Sequence, residues 1–175
     1  MKNVIFIGGI HGVGKGILCK KVCEELKYFH LSASEVLKWD EISDKNNKLV
    51  EDFTLTQNRL IMNLEHIINN NDRYLLDGHY CLLNSNQEPE RIDFETFRQL
   101  DPFAFIVITD DVQEIKIRLD KRDNRCYDVE LLKRFQEIEL SYSRELSNKL
   151  SKPYLMLRKE ESHKLKSFLH NENFA

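Results

Sequence analysis

The chain has 175 residues, 41 % of them hydrophobic and 31 % charged, which is one domain's worth of sequence and the composition of a globular rather than a disordered or fibrous protein. Its 26 basic and 29 acidic side chains leave a formal charge of -3, which gives no footprint for general nucleic-acid binding. No apolar stretch approaches the roughly 20 residues that span a bilayer, and the opening MKNVIFIGG is too short and glycine-rich for a signal peptide, so a cytoplasmic protein without membrane partners is expected.

Val4 to Ile7 is an uninterrupted run of β-formers ended by Gly8 and Gly9, as in a strand buried on both faces. Leu18 to Leu26 reads as a helix, and Tyr28 to Leu31 as a second strand. Ser32 or Ser34 can cap a helix reaching about Trp39, itself read as a packing residue. The polar segment Asp40 to Asp52 predicts a loop or short exposed helix. Leu60, Ile61, Leu64, Ile67 and Ile68 recur at helical spacing within about 54–70, closed by the turn signal Asn69 to Asp72. Tyr74 to Asp77 is a third strand, and 81–92, containing Pro89, reads as a loop. A short helix is predicted over Phe94 to Leu100 and a fourth strand over Phe103 to Thr109. Asp111 and Glu114 open a helix to about Arg122 in the manner of a capping box. After a break from Asp123 to Asp128, Leu131, Phe135, Ile138, Tyr142, Leu146 and Leu150 mark one face of a long helix. Pro153 ends it, Tyr154 to Leu157 is a fifth strand, and Leu165, Phe168 and Leu169 belong to a last helix. This alternation predicts an α/β protein with a parallel sheet covered on both faces.

Five of the six glycines fall between positions 8 and 16. Gly9-Ile10-His11-Gly12-Val13-Gly14-Lys15 fills the G-x-x-x-x-G-K pattern between a strand and a helix. There, backbone amides and a helix N-terminus converge on phosphate while the lysine offsets its charge. Gly16 follows the lysine where Ser or Thr usually supplies a magnesium-binding hydroxyl. Asp77, at the end of an apolar run, stands where a carboxylate can order magnesium directly or through water. Cys19, Cys23, Cys81 and Cys126 are expected as free thiols. Cys19 and Cys23 lie i, i+4 on the first helix, but zinc needs two more ligands that no nearby spacing supplies, so they read as core thiols.

Gly12-Val13-Gly14-Lys15-Gly16 resembles the G-x-G-K-G loop of adenylate kinases and related nucleoside monophosphate kinases, in which threonine comes next and this chain has Ile17. Asp77-Gly78-His79-Tyr80 is similar to the D-G-F-P-R segment of that family, and closer to the D-x-H form of its archaeal-type, short-lid branch. Ser32-Ala33-Ser34-Glu35-Val36-Leu37-Lys38 resembles the acceptor segment S-T-G-D-M-L-R. Arg118 and Arg122 fit the R-x-x-x-R entrance to the lid, and Arg125-Cys126-Tyr127-Asp128 its R-x-D-D exit, with Arg134 near a further family arginine. The resemblance implies a three-layer α/β/α P-loop NTPase fold, nucleoside kinase-like, with a five-stranded parallel sheet in a single domain over 1–175. Residues 32–70 would form the acceptor side and 122–128 a short lid. It implies transfer from ATP to a nucleoside monophosphate with Mg2+, by a monomer or small homo-oligomer whose partners are nucleotide substrates. The same resemblance assigns the donor to Gly9, His11, Gly12, Val13, Gly14, Lys15, Gly16 and Ile17, and the acceptor to Ser32, Lys38 and His79. Catalytic charge would come from Lys15, Arg118, Arg122 and Arg125, and metal binding from Asp77. Two alternatives stay open: another acceptor, either a small molecule or a nucleic-acid 5′ end, and a nucleotide-dependent switch or weak ATPase.

Overall fold

The computed structural model describes residues 1–37 and 53–171. Lys38, the predicted helix end at Trp39 and the predicted loop Asp40 to Asp52 lie outside the described residues.

Strand β1 (Val4–Gly8) is buried along its whole length. Helix α1 (Lys15–Leu26) follows the glycine loop and turns Leu18, Cys19, Val22 and Cys23 inward. Strand β2 (Phe29–Ser32), the one-turn helix α2 (Ala33–Val36) and helix α3 (Phe53–Ile67) come next, followed by strand β3 (Tyr74–Asp77). The region predicted as a loop contains a small antiparallel hairpin, β4 (Cys81–Leu83) and β5 (Pro89–Arg91), with Cys81 opposite Arg91. Its strands are three residues long, Pro89 begins the second, and Asn84 holds the turn by accepting from the amides of Asn86 and Glu88. A strand so short leaves no alternation to detect.

Helix α4 spans Phe94–Leu100, strand β6 Ala104–Thr109, helix α5 Val112–Asp123, helix α6 Val129–Leu150, strand β7 Tyr154–Arg158 and helix α7 Ser162–Asn171. Asp111 caps α5 by accepting from the amides of Gln113 and Glu114, as the sequence predicts. Asp128 accepts from Leu131 at the start of α6.

The main sheet is all parallel with the order β2-β3-β1-β6-β7. Helix α1 packs on β2, β3 and α7, while α6 packs on β6, α4 and α5, which makes three layers. This is the P-loop NTPase architecture expected from the sequence. The connections leave β1 in opposite directions, first to β2 and β3 and then to β6, so a crevice opens at the carboxyl ends of β1 and β3, where ligands bind in such sheets.

An aromatic cluster holds that end of the sheet. Tyr80, immediately after β3, is fully buried, donates from its hydroxyl to the Ile106 carbonyl at 2.8 Å and meets Phe6 edge-on at 5.0 Å. Its ring lies over Gly8, where a Cβ would come within 2.1 Å of Cε2. Glycine is required there by the close approach rather than by its dihedrals.

Candidate functional site

A cleft of about 700 Å³ opens over the carboxyl ends of β1 and β3. Its lining includes Gly12, Gly14, Lys15, Gly16 and Ile17 from the loop, His30, Ser32 and Asp77 from the strand ends, and Arg118 and Arg122 from α5. A second depression of about 620 Å³ lies around Met1, Asn3 and Asn70 to Arg73, at the amino ends of the strands. None of the residues predicted to bind donor, acceptor or metal lines it.

The loop obeys its glycines. Gly9, Gly12 and Gly14 have φ of 143°, 76° and 101°, and at Gly12 a Cβ would also stand 2.8 Å from Leu119 Cγ, inside the core. Lys15 opens α1 but its side chain folds back, donating to the carbonyls of Gly9 at 2.7 Å and Ile10 at 3.3 Å. Burial pushes its ammonium below the ordinary pKa, against the opposing pull of Glu139 and Asp77. A lysine so withdrawn from water is a cation with much to gain from a phosphate.

Asp77 ends β3 beside Ile7 of β1 and Ser32 of β2. Its Oδ2 is 2.5 Å from His30 Nε2 and would lie 3.6 Å from a Cβ at Gly16. On the opposite wall, Arg118 donates from Nε to the Gly12 carbonyl at 2.9 Å and from Nη2 to Asp110 at 2.6 Å. Burial raises the Asp110 carboxyl, but its bonds to Lys159 and Arg118 prevail and hold it below the usual range. Arg122 is paired through two bonds of 2.7 Å with Asp123.

A family described as "AAA domain" matches residues 8–135, from the end of β1 through the glycine loop and the cleft into α6. The chain belongs to this AAA domain family. Among curated proteins this AAA-domain chain is similar to UMP-CMP kinase 3 of Oryza sativa subsp. japonica, 27 % identical over 120 residues, covering 64 % of this chain and 54 % of that protein. UMP-CMP kinase 3 of Arabidopsis thaliana is 29 % identical over 120 residues, covering 64 % and 56 %. UMP-CMP kinase 2 of Caenorhabditis elegans is 50 % identical over 38 residues, covering 22 % and 20 %. The chain spans about half the length of the two plant relatives it matches. Among the described residues no helix is long and apolar enough to cross a membrane.

The fold brings together most of the residues singled out in the AAA-domain sequence. Gly12, Gly14, Lys15, Gly16, Ile17, His11, Ser32, Asp77, His79, Arg118 and Arg122 all border the cleft. Val13 is fully buried and supports the loop from the core side. Ile17, where the resemblance expects threonine, is 80 % exposed. The His79 and His11 rings meet at a tilt of 46° with their centroids 4.1 Å apart. Arg125 is not in the lining; its guanidinium lies over the Tyr127 ring, 4.2 Å from the centroid.

Two residues at the site escape sequence reasoning. His30 reaches Asp77 from the neighbouring strand. Glu139 of α6 is fully buried and accepts through Oε1 from the amides of Tyr80 at 2.8 Å and Cys81 at 2.9 Å. Burial pushes its carboxyl up to about 7, against the pull of Lys15 and of the amides of Cys81, Tyr80 and Gly9. It thereby ties α6 to the glycine loop and to the segment after Asp77. Its signal in the sequence is its register: Leu132, Phe135, Tyr142 and Leu146 line the buried stripe of α6, and Glu139 occupies the place between them. A carboxylate on an apolar stripe has a partner in the core.

Proposed function

We propose that this chain transfers the γ-phosphoryl group of ATP to a nucleoside monophosphate, with UMP and CMP as the first acceptors to test. The observation that carries this reading is the convergence on one cleft of a glycine loop with a buried lysine, a carboxylate at the end of the adjacent strand, and two arginines from the helix leading to the lid. The names of the two plant relatives support the acceptor class.

Phosphoryl transfer needs alignment of donor and acceptor and positive charge around the moving group, and little covalent help from the protein. The backbone amides of the loop from Gly9 to Ile17 hold the donor phosphates, with His11 and Val13 shaping the loop. Lys15 exchanges the carbonyls of Gly9 and Ile10 for the outer phosphates. Arg118 and Arg122 turn from Asp110 and Asp123 to the reacting groups, and Arg125 joins them as 122–128 closes as a lid. Closure excludes water, which otherwise competes as acceptor. On the acceptor side, 32–70, Ser32 and His79 face the monophosphate, and Lys38 supplies charge for its phosphate. The short connection between α5 and α6 and the Asp77-Gly78-His79 triplet support a short-lid member, of the kind the archaeal-type resemblance implies.

The donor set fits Mg2+, which takes one or two carboxylates, substrate phosphates and waters: Asp77 offers a carboxylate oxygen 3.6 Å from where a Cβ at Gly16 would stand. Held by Asp77, the ion would supply positive charge against the donor phosphates. The cytoplasm is the compartment proposed for this reaction.

A second reading, a switch or weak ATPase, is favoured by the absence of a hydroxyl at Gly16 and by the exposed Ile17. Transfer from γ-labelled ATP to a panel of monophosphates, with Lys15→Ala as control, separates the two. The kinase reading expects a labelled diphosphate and a loss of roughly 10²–10³-fold in Lys15→Ala, the scale of removing one preorganised charge donor. Label released only as inorganic phosphate supports the second reading.

A further inference from the structure

Beyond Cys23 the sequence spacing offers Cys19 no further metal ligands, but the fold does. Cys19 of α1, His30 of β2 and Asp77 of β3 present a thiol sulfur, an imidazole nitrogen and a carboxylate oxygen that all lie within 4.8 Å of one another. Helix α1 packs on both strands, and β2 and β3 are paired in register, with His30 opposite Leu75 and Ser32 opposite Asp77. The three donors therefore sit on rigid elements rather than on loops. Cys19 is fully buried, while His30 and Asp77 are each 14 % exposed and line the cleft. A cation would thus have protein behind it and an open coordination position toward the cleft.

We propose that Cys19, His30 and Asp77 form a site for one thiophilic divalent cation of the zinc type at the floor of the cleft. Sulfur, imidazole nitrogen and carboxylate oxygen in a set of three is a zinc-like donor set, whereas Mg2+ takes oxygen ligands in a near-ideal octahedron. Zinc bond lengths imply ligand-to-ligand edges of about 3.3–3.6 Å in a tetrahedron. The His30–Asp77 contact at 2.5 Å must open by about an ångström, and the sulfur, within 4.8 Å of both, must draw in by no more than about 1.3 Å. Binding releases the Cys19 thiol proton to solvent, and the thiolate and the Asp77 carboxylate then balance the two positive charges. Lys15 interacts electrostatically with both Asp77 and Cys19 and sets the cost of adding the second cation.

One consequence rests on the proposed kinase reading. An ion held here takes Asp77 away from Mg2+, so zinc inhibits transfer. The binding site itself stands apart from that reading, and its test uses no nucleotide and no activity.

Cobalt(II) is titrated into the full chain and the absorption spectrum recorded. The expected result is one equivalent bound, with a near-ultraviolet thiolate-to-cobalt band that zinc abolishes by displacement. Cys19→Ser removes the band. Cys126→Ser, which removes the exposed thiol, leaves it intact. His30→Ala keeps every thiol and weakens cobalt binding by at least the ~10–100-fold that loss of an outer-sphere partner costs, so the site stays testable if Cys19→Ser fails to fold. A spectrum without the thiolate band, a band that survives Cys19→Ser, one that vanishes in Cys126→Ser, or unchanged affinity in His30→Ala overturns the proposal.

Discussion

Glu139 shows how one side chain can set both the architecture and the pH response of the site. Its folded pKa of about 7 lies above the ordinary 4.5 because burial disfavours the carboxylate. Below about pH 4.5 the acid is neutral in folded and unfolded chains alike, and its contribution is fully present; between there and about 7 the unfolded chain ionises first, so stability is lost as pH rises. At ~1.4 kcal/mol per unit, the group accounts for about 3 kcal/mol of decline. Glu139→Gln is predicted to flatten this part of the profile, so that the Tm of the variant gains on the parent between pH 5 and pH 8. Parallel Tm curves would sink this account of Glu139. A second residue-scale expectation concerns Gly16, where a Cβ meets only Asp77 Oδ2 at an ordinary 3.6 Å. Gly16→Ser adds a hydroxyl beside that carboxylate, and is expected to lower severalfold the Mg2+ concentration needed for half-maximal transfer. An unchanged Mg2+ requirement would mean that Asp77 does not hold the ion.

At the scale of elements, what the sequence reveals depends on how local the cause is. The inner strands β3, β1 and β6 of the main sheet are legible because a parallel strand buried on both faces is a nearly unbroken apolar run, as in Val4–Gly8 and Ala104–Thr109. The glycine loop and its lysine are legible for a similar reason, since the pattern that marks them falls within nine residues. The hairpin at 81–91 is not, because its order comes from Asn84 in the turn and from Glu139, 58 residues away from Cys81. His30 and Cys19 join Asp77 only through strand register and helix packing, and spacing along the chain carries no trace of either. The Tyr80 ring over Gly8 gives the element-scale prediction. Gly8→Ala forces a Cβ against a fully buried ring whose hydroxyl is already bonded to Ile106, and overpacking of this sort costs ~1–3 kcal/mol or more. Urea denaturation measures it, and a variant as stable as the parent would contradict the packing described here.

For the whole molecule, the cleft is the unit of function, and its walls come from elements far apart in the chain. Leu60 of α3, Thr96, Phe97 and Leu100 of α4, and Leu82 and Ile92 around the hairpin form its apolar side, while Lys15, Lys20, Arg118 and Arg122 supply its positive charge. Arg118 and Arg122 are paired with Asp110 and Asp123, so on the proposed reading closure over a donor would exchange internal ion pairs for phosphate contacts. A net charge of -3 does not reveal such a local concentration of cations. On the proposed function these groups move a phosphoryl group between nucleotides. The most direct measurement follows the phosphorus resonances of ATP, Mg2+ and an equimolar mixture of UMP, CMP and AMP in the presence of the protein. The expected result is ADP together with an equal amount of UDP or CDP, or, where AMP is the acceptor, two ADP for each ATP consumed and no inorganic phosphate; ADP accompanied only by an equal amount of inorganic phosphate, or no reaction, would contradict it.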